Sequence, residues 1–222
     1  MSKHLDFFKS HIDNPMRIQQ AEILDFILQE HFEFDYVECI ETGCSFGGYD
    51  DFGTYLGSFC KDFNGKLSTV DINCDSIEKS KNFYKELFDG LDVTYRCGDS
   101  VEFLKDYNGS PNLVHLDSWD LEIPNPISSM LHCWLEFDAI KDKMPSGSIC
   151  IIDDNYLNGT TVYWNIFNNG NFVKTQPYDI TYDIVGKGSL VYHWVKNYST
   201  DWELIGNHYI AGPCIKLILK KL

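Results

Sequence analysis

Five apolar runs in this chain each end in an acid: YVECIETG, LSTVDIN, VTYRCGDS, NLVHLDSWD and SICIIDDN. Helical periodicity fills the gaps between them. Pro15–Glu30 places Ala21, Leu24, Ile27 and Leu28 three and four residues apart, with Ile23 beside them. Phe52, Tyr55, Leu56 and Phe59 mark a second apolar face, SIEKSKNFYKELF and SVEFLKDY two more, and Met130, Leu131, Trp134, Leu135 and Phe137 another beyond Pro126. Strands alternating with helices at this spacing define βαβ units, and hence an α/β fold with a mainly parallel sheet and right-handed crossovers. In such sheets ligands bind outside the carboxyl ends of the strands, so the five acidic strand ends describe one crowded site.

With 222 residues, 44% of them hydrophobic, the chain has ample material for one globular core. The net charge of −15, from 33 acids and 18 bases, repels a phosphate backbone, and no Lys/Arg run exceeds Lys220–Lys221. Nucleic acid is therefore not an expected partner. The eight cysteines are scattered without C-x-x-C pairs, several inside apolar runs, and read as reduced core thiols of a cytoplasmic protein. The charged N-terminal stretch MSKHLDFFKSHIDNP is neither a signal peptide nor a membrane span.

Individual motifs narrow the chemistry. In ETGCSFGG, Gly43, Gly47 and Gly48 allow a tight turn and close approach of a ligand, ahead of a helix N-terminus. The spacing departs from the dinucleotide fingerprint G-x-G-x-x-G, and Glu41 suits a cationic ligand better than a pyrophosphate. Asp71, one βαβ unit later, stands where an acid pairs with two ribose hydroxyls. Asp99 ends the third strand, where it can accept from an adenine amino group or cap the helix beginning at Ser100. Asp117, Asp153, Asp154 and Asn155 end the next two strands, a set of hard oxygen ligands that selects Mg²⁺, Ca²⁺ or Mn²⁺ over zinc.

From Tyr36 to Asn155 this order resembles the class I S-adenosylmethionine-dependent methyltransferases. The resemblance implies a Rossmann-like sheet of seven strands, mostly parallel with the last antiparallel, and helices on both faces. It implies one methyltransferase domain over 1–222, with a helical lead-in over 1–35 and an acceptor-side insertion over 156–195. S-adenosylmethionine would be held by Glu41, Gly43, Ser45, Gly47, Gly48, Asp71, Asp99, Ser100 and Asp117. VHLDSWD and IIDDN resemble metal-dependent O-methyltransferases of two types. The catechol type maps its ligands to Asp117, Asp154 and Asn155, and the macrocin (sugar) type to Asp117, Asp153 and Asp154, the ion being Mg²⁺ by expectation. Asp120 stands where the catechol type has a Lys base, which favours a sugar hydroxyl as acceptor.

Proton acceptance then falls to Asp120, Asp153 or His193. The segment Tyr156–Trp194, rich in Tyr, Trp and Asn, is expected to cover the site and to stack on a sugar. The expected partner is a sugar, glycan or small hydroxylated acceptor, with no nucleic acid and no membrane, and a homo-oligomer is left open.

Overall fold

Two helices precede the first strand in the computed structural model, which describes residues 2–44, 52–122, 125–168, 171–209 and 214–222. Helix α1 (Lys3–His11) starts at Ser2, whose Oγ accepts from the Leu5 amide. Helix α2 (Pro15–His31) starts at Asn14, which accepts from the Met16 and Arg17 amides, with Pro15 in the first turn. The expected α2 face of Ala21, Leu24, Ile27 and Leu28 is buried. α1 lies within the stretch 1–35 read as a helical lead-in; His4 ties it down, its ring nitrogens 2.5 Å from Asp25 Oδ1 and 2.9 Å from Asp62 Oδ2.

Alternation then proceeds as β1 (Glu38–Thr42), α3 (Phe52–Asp62), β2 (Lys66–Asp71), α4 (Cys74–Leu87), β3 (Asp92–Cys97), α5 (Ser100–Asp106), β4 (Leu113–Leu116), α6 (Ile127–Ile140) and β5 (Ile149–Leu157). The rest comprises β6 (Thr161–Asn168), β7 (Asn171–Asp179), β8 (Ile184–Gly186), α7 (Ser189–Asn197), β9 (Trp202–Tyr209) and β10 (Cys214–Lys221). The main sheet runs β3-β2-β1-β4-β5-β10-β9. β1 to β5 pair in parallel, and the final strand β10 is antiparallel to both neighbours. This is the expected Rossmann-like α/β sheet, with short β8 added antiparallel to the extended end of β5.

Strand parity divides the core into two layers. Cys39, Leu113, Ile149, Ile151 and Ile218 pack with the residues of α1–α4, whereas Ile40, Val114, Cys150, Ile152 and Leu217 pack with α5–α7. Helices thus cover both faces. In the second layer Phe137 meets Trp194 and Trp202 edge-on at 5.8 and 5.1 Å.

The aromatic segment of the last third holds the β6–β7 hairpin, a separate two-stranded sheet, and LVYHWV is part of helix α7. One expectation changes among the cysteines. Cys74 and Cys97 form a disulfide, Cα atoms 5.1 Å apart, so they are not reduced thiols. Parallel pairing sets Asp71 opposite Cys97, and α4 begins at Cys74, which brings together two cysteines distant in sequence. Cys39, Cys44, Cys60, Cys133 and Cys150 are free and buried, as expected. Among the described residues no helix is long and apolar enough to cross a membrane.

Candidate active site

Parallel strands β2, β1 and β4 deliver their carboxyl ends to one open cleft of about 520 Å³. Gly43, Asp71, Ile72, Asp99, Ser100 and Asp117 line one part of it, and Ser118, Trp119, Asp120, Glu122 and His132 line the rest. Gly43 has φ +76, and a β-carbon there would lie 2.5 Å from the carbonyl oxygen of Asp117. Only glycine lets the turn after β1 pass this close to the end of β4. Asp71 is aimed by the turns after β1 and β2: Oδ2 accepts from the Cys44 amide at 3.2 Å and Oδ1 from the Asn73 amide at 2.7 Å. Asp99 both faces the cleft and caps α5, accepting from the Glu102 amide at 3.0 Å.

The structure thus brings Gly43, Asp71, Asp99, Ser100, Asp117 and Asp120 to one cavity. Ser45, Gly47 and Gly48 lie outside the described residues. Glu41 is fully buried beneath the turn, on the face shared with Cys39, and does not line the cleft; its Oε2 accepts from Thr69 Oγ1 at 2.8 Å and from Tyr84 at 3.4 Å.

His132 was not anticipated. Its Nε2 is 3.0 Å from Ser100 Oγ and 3.6 Å from Glu136 Oε1, and Ser118 donates to the same Glu136 oxygen at 2.6 Å. Burial alone would lower its pKa, but Glu136 raises it above the ordinary histidine value. The Trp119 ring lies 5.2 Å from the His132 ring, with a positive φ of 62 and its side chain open to the cleft. Non-glycine residues in this backbone region carry a strain that commonly marks a functional site.

Beside the cleft the acids of β4 and β5 meet two buried lysines. Lys187 Nζ donates to Asp117 Oδ1 at 2.6 Å, to the Asp117 carbonyl at 3.3 Å and pairs with Asp154 Oδ2 at 3.0 Å. Lys216 donates to Asp153 Oδ2 and stands 4.3 Å from the centre of the Phe52 ring. Both ammonium-bearing side chains are at most 2% exposed. Burial disfavours charge on Lys187, but Asp117 and Asp154 raise its pKa above the ordinary lysine value. Burial would also raise Asp153, and Lys216 overrides it, holding that carboxyl well below the usual range. Asp117 differs: burial and the nearby Asp153 carboxylate push it up to about 6, against the pull of Lys187. His115 completes the group, its Nε2 3.8 Å from Asp153 Oδ2 and both ring nitrogens without a hydrogen-bond partner among the described residues.

These contacts test the expected metal set. One oxygen each of Asp117, Asp153 and His115's ring nitrogen approach within 4.8 Å, a separation compatible with a shared ion. The surrounding charge is not compatible. Lys187 is bound to Asp117 and Asp154 and Lys216 to Asp153, so all three carboxylates already hold a cation. A divalent ion 4 Å from one ammonium would meet a repulsion of roughly 8 kcal/mol at an effective dielectric of 20, twice the monovalent figure. Asn155 is committed as well: Nδ2 donates to the Ile152 and Asp153 carbonyls, and Oδ1 accepts from the Gly188 amide. The residues do not fit a resident divalent ion, and Asn155 is a structural bracket for the turn that carries Lys187.

Two base candidates change too. His193 is exposed on α7, its carbonyl accepting from Asn197, and is not among the cleft residues. Asp153 is a poor proton acceptor because Lys216 holds it ionised. Nor does any described residue of the segment 156–195 line the cleft. Instead Val162 and Ile180, at the base of the β6–β7 hairpin, pack on Leu121, next to Asp120. The hairpin braces the loop that carries Trp119 and Asp120.

The fold is that of class I S-adenosylmethionine-dependent methyltransferases. It is similar to an S-adenosylmethionine-dependent methyltransferase from Clostridium acetobutylicum, with TM-score 0.56 and 15% identity, over 94% of this chain and 93% of that one. A putative rRNA-methylase from Clostridium thermocellum matches with TM-score 0.56 and 13% identity over 92% and 97% of the two chains. An rRNA methylase from Streptococcus thermophilus matches with TM-score 0.51 and 12% identity over 95% and 99%. No protein-family model and no curated protein matches the chain.

Proposed function

We propose that this chain is an S-adenosylmethionine-dependent methyltransferase acting on a neutral hydroxyl, that of a sugar or glycan. The observation that carries the reading is the convergence of Asp71 and Asp99, from adjacent strand ends, on a cleft floored by Gly43. Asp71, fixed by two backbone amides, would take the ribose hydroxyls in this reading, and Asp99 with Ser100 the adenine side. Bound there, S-adenosylmethionine supplies a methyl group already activated on a sulfonium. The chain's own task is to align an acceptor oxygen and take its proton, and alignment alone contributes about 7–11 kcal/mol in well-oriented systems.

Asp117 suits proton acceptance, since its carboxyl at the cleft edge is pushed up to about 6, nearer to neutrality than Asp153. Asp120, exposed in the cleft, and the Trp119 ring offer a carboxylate and an apolar platform to a polyhydroxyl ligand. Two of the solved structures with a similar fold are described as rRNA methylases. The net charge of −15 and the acidic cleft speak against RNA as the acceptor here.

Methyl transfer assayed on a panel of sugars, glycans, catechols and rRNA fragments tests the acceptor. Turnover of carbohydrate supports the reading. Efficient turnover of catechols or RNA alone replaces it.

A further inference from the structure

Lys187 is delivered by a turn built for it. In the sequence Gly186-Lys187-Gly188-Ser189, β-carbons added to the two glycines would stand 2.1 Å from the Asp154 carbonyl and 2.9 Å from Asn155 Oδ1. The Gly186 amide donates to Ser189 Oγ, the Lys187 amide to the Asp154 carbonyl and the Gly188 amide to Asn155 Oδ1. The turn is therefore pressed onto the end of β5, and its one long side chain runs inward to Asp117 and Asp154. Sequestering a lysine this completely requires compensating negative charge, which the Asp154 and Asp117 carboxylates provide together with the Asp117 carbonyl.

We propose that Lys187 is a built-in cation: its ammonium bridges Asp117 and Asp154, the two acids the sequence offered to a divalent ion, and fixes Asp117 at the cleft, so this site works without metal. Lys187 is a positioning residue, acting through Asp117, and its role rests on the methyltransferase reading above. Lys216 does the same for Asp153 on the side of β10, which leaves three carboxylates matched by two ammoniums. The site is thereby preorganised at all times, whereas a metal-dependent site is complete only when loaded.

Charge balance makes the proposal testable without any turnover. Removing the Lys187 side chain takes away the ammonium that Asp117 and Asp154 share and vacates the space between them, which opens a place for a hard divalent ion. The full-length chain and its Lys187→Ala and Lys187→Met variants are titrated with Mn²⁺ alone, following bound metal by electron paramagnetic resonance and melting temperature by fluorimetry. Lys187→Ala is expected to gain saturable Mn²⁺ binding at least about tenfold tighter than wild type, a factor worth 1.4 kcal/mol. Lys187→Met, which fills the space, should gain less, and adding Asp117→Asn to Lys187→Ala should abolish the gain.

Mn²⁺ bound by wild type as tightly as by Lys187→Ala, and lost on Asp117→Asn, overturns the proposal. If the alanine variant does not fold, the wild-type titration still decides: a chelator-sensitive, Asp117-dependent Mn²⁺ site in wild type refutes it, and the absence of one supports it. Failure of the methyltransferase reading registers separately, as absence of S-adenosylmethionine binding in the same wild-type sample.

Discussion

A β-carbon on Gly43 would stand 2.5 Å from the carbonyl oxygen of Asp117, so the turn after β1 and the end of β4 touch through a gap only glycine fits. The same contact joins the cofactor side of the cleft to the residue proposed to take the proton. Gly43→Ala must therefore widen this contact and adopt an unfavourable φ, at a cost of about 1–3 kcal/mol. The variant is expected to melt earlier and to bind S-adenosylmethionine at least about tenfold more weakly, a factor of 1.4 kcal/mol. Calorimetric titration checks it, and unchanged affinity would mean that the turn does not touch the cofactor.

Asp117 gives the reaction a pH dependence. With its carboxyl at about 6, kcat/KM should rise as pH increases through about 6 and then level, because only the carboxylate accepts a proton. Its effect on stability has the opposite slope. The folded carboxyl holds its proton above the unfolded value of about 3.9, so between roughly pH 4 and 6 the folded state binds more protons and this contribution falls as pH rises. Asp117→Asn should remove both effects. A pH–rate profile for the variant with an unchanged inflection near 6 would assign the proton to another group.

Asp153 titrates the other way. Its folded carboxyl lies well below the usual range, so its contribution is complete above about pH 4 and is lost as pH falls further. Lys216→Met should leave Asp153 buried without its partner and cost about 3–5 kcal/mol at neutral pH. Urea unfolding at neutral and acidic pH measures this, and the loss should shrink in acid as Asp153 protonates.

Leu121 links the hairpin to the site. Leu121→Ala removes its contacts with Val162 and Ile180 and is expected to cost about 2 kcal/mol or more. Acceptor KM should rise while S-adenosylmethionine affinity holds, because the loop of Trp119 and Asp120 loosens and Asp71 does not. Equal losses in both would contradict the bracing role of the hairpin.

The sheet was legible because its signals are local: apolar runs ending in acids, helical faces between them, and glycines at the first turn. Asp71, Asp99 and Asp117 could be placed on one edge from strand order alone. The charge balance was not legible, since Lys187 lies 70 residues from Asp117 and Lys216 lies 63 residues from Asp153. Faint signals existed: a lysine between two glycines in IVGKGSL, and a lysine inside the apolar strand CIKLIL. A charged residue in such a setting is seldom buried without a partner. Without those lysines the acids suggested a metal, and Asn155 a ligand. The Cys74–Cys97 pairing was equally hidden, because it depends on the register of β2 against β3.

Calorimetric titration of the purified chain with S-adenosylmethionine decides whether the cleft holds the cofactor, with Asp71→Asn as the paired variant, since asparagine retains an acceptor oxygen for the Cys44 or Asn73 amide. Wild type should bind saturably and one-to-one in the presence of chelator, and the variant should lose at least about tenfold, equivalent to 1.4 kcal/mol, with little change in melting temperature. Absence of binding by wild type, or equal binding by Asp71→Asn, would contradict the assignment of the cleft to the cofactor.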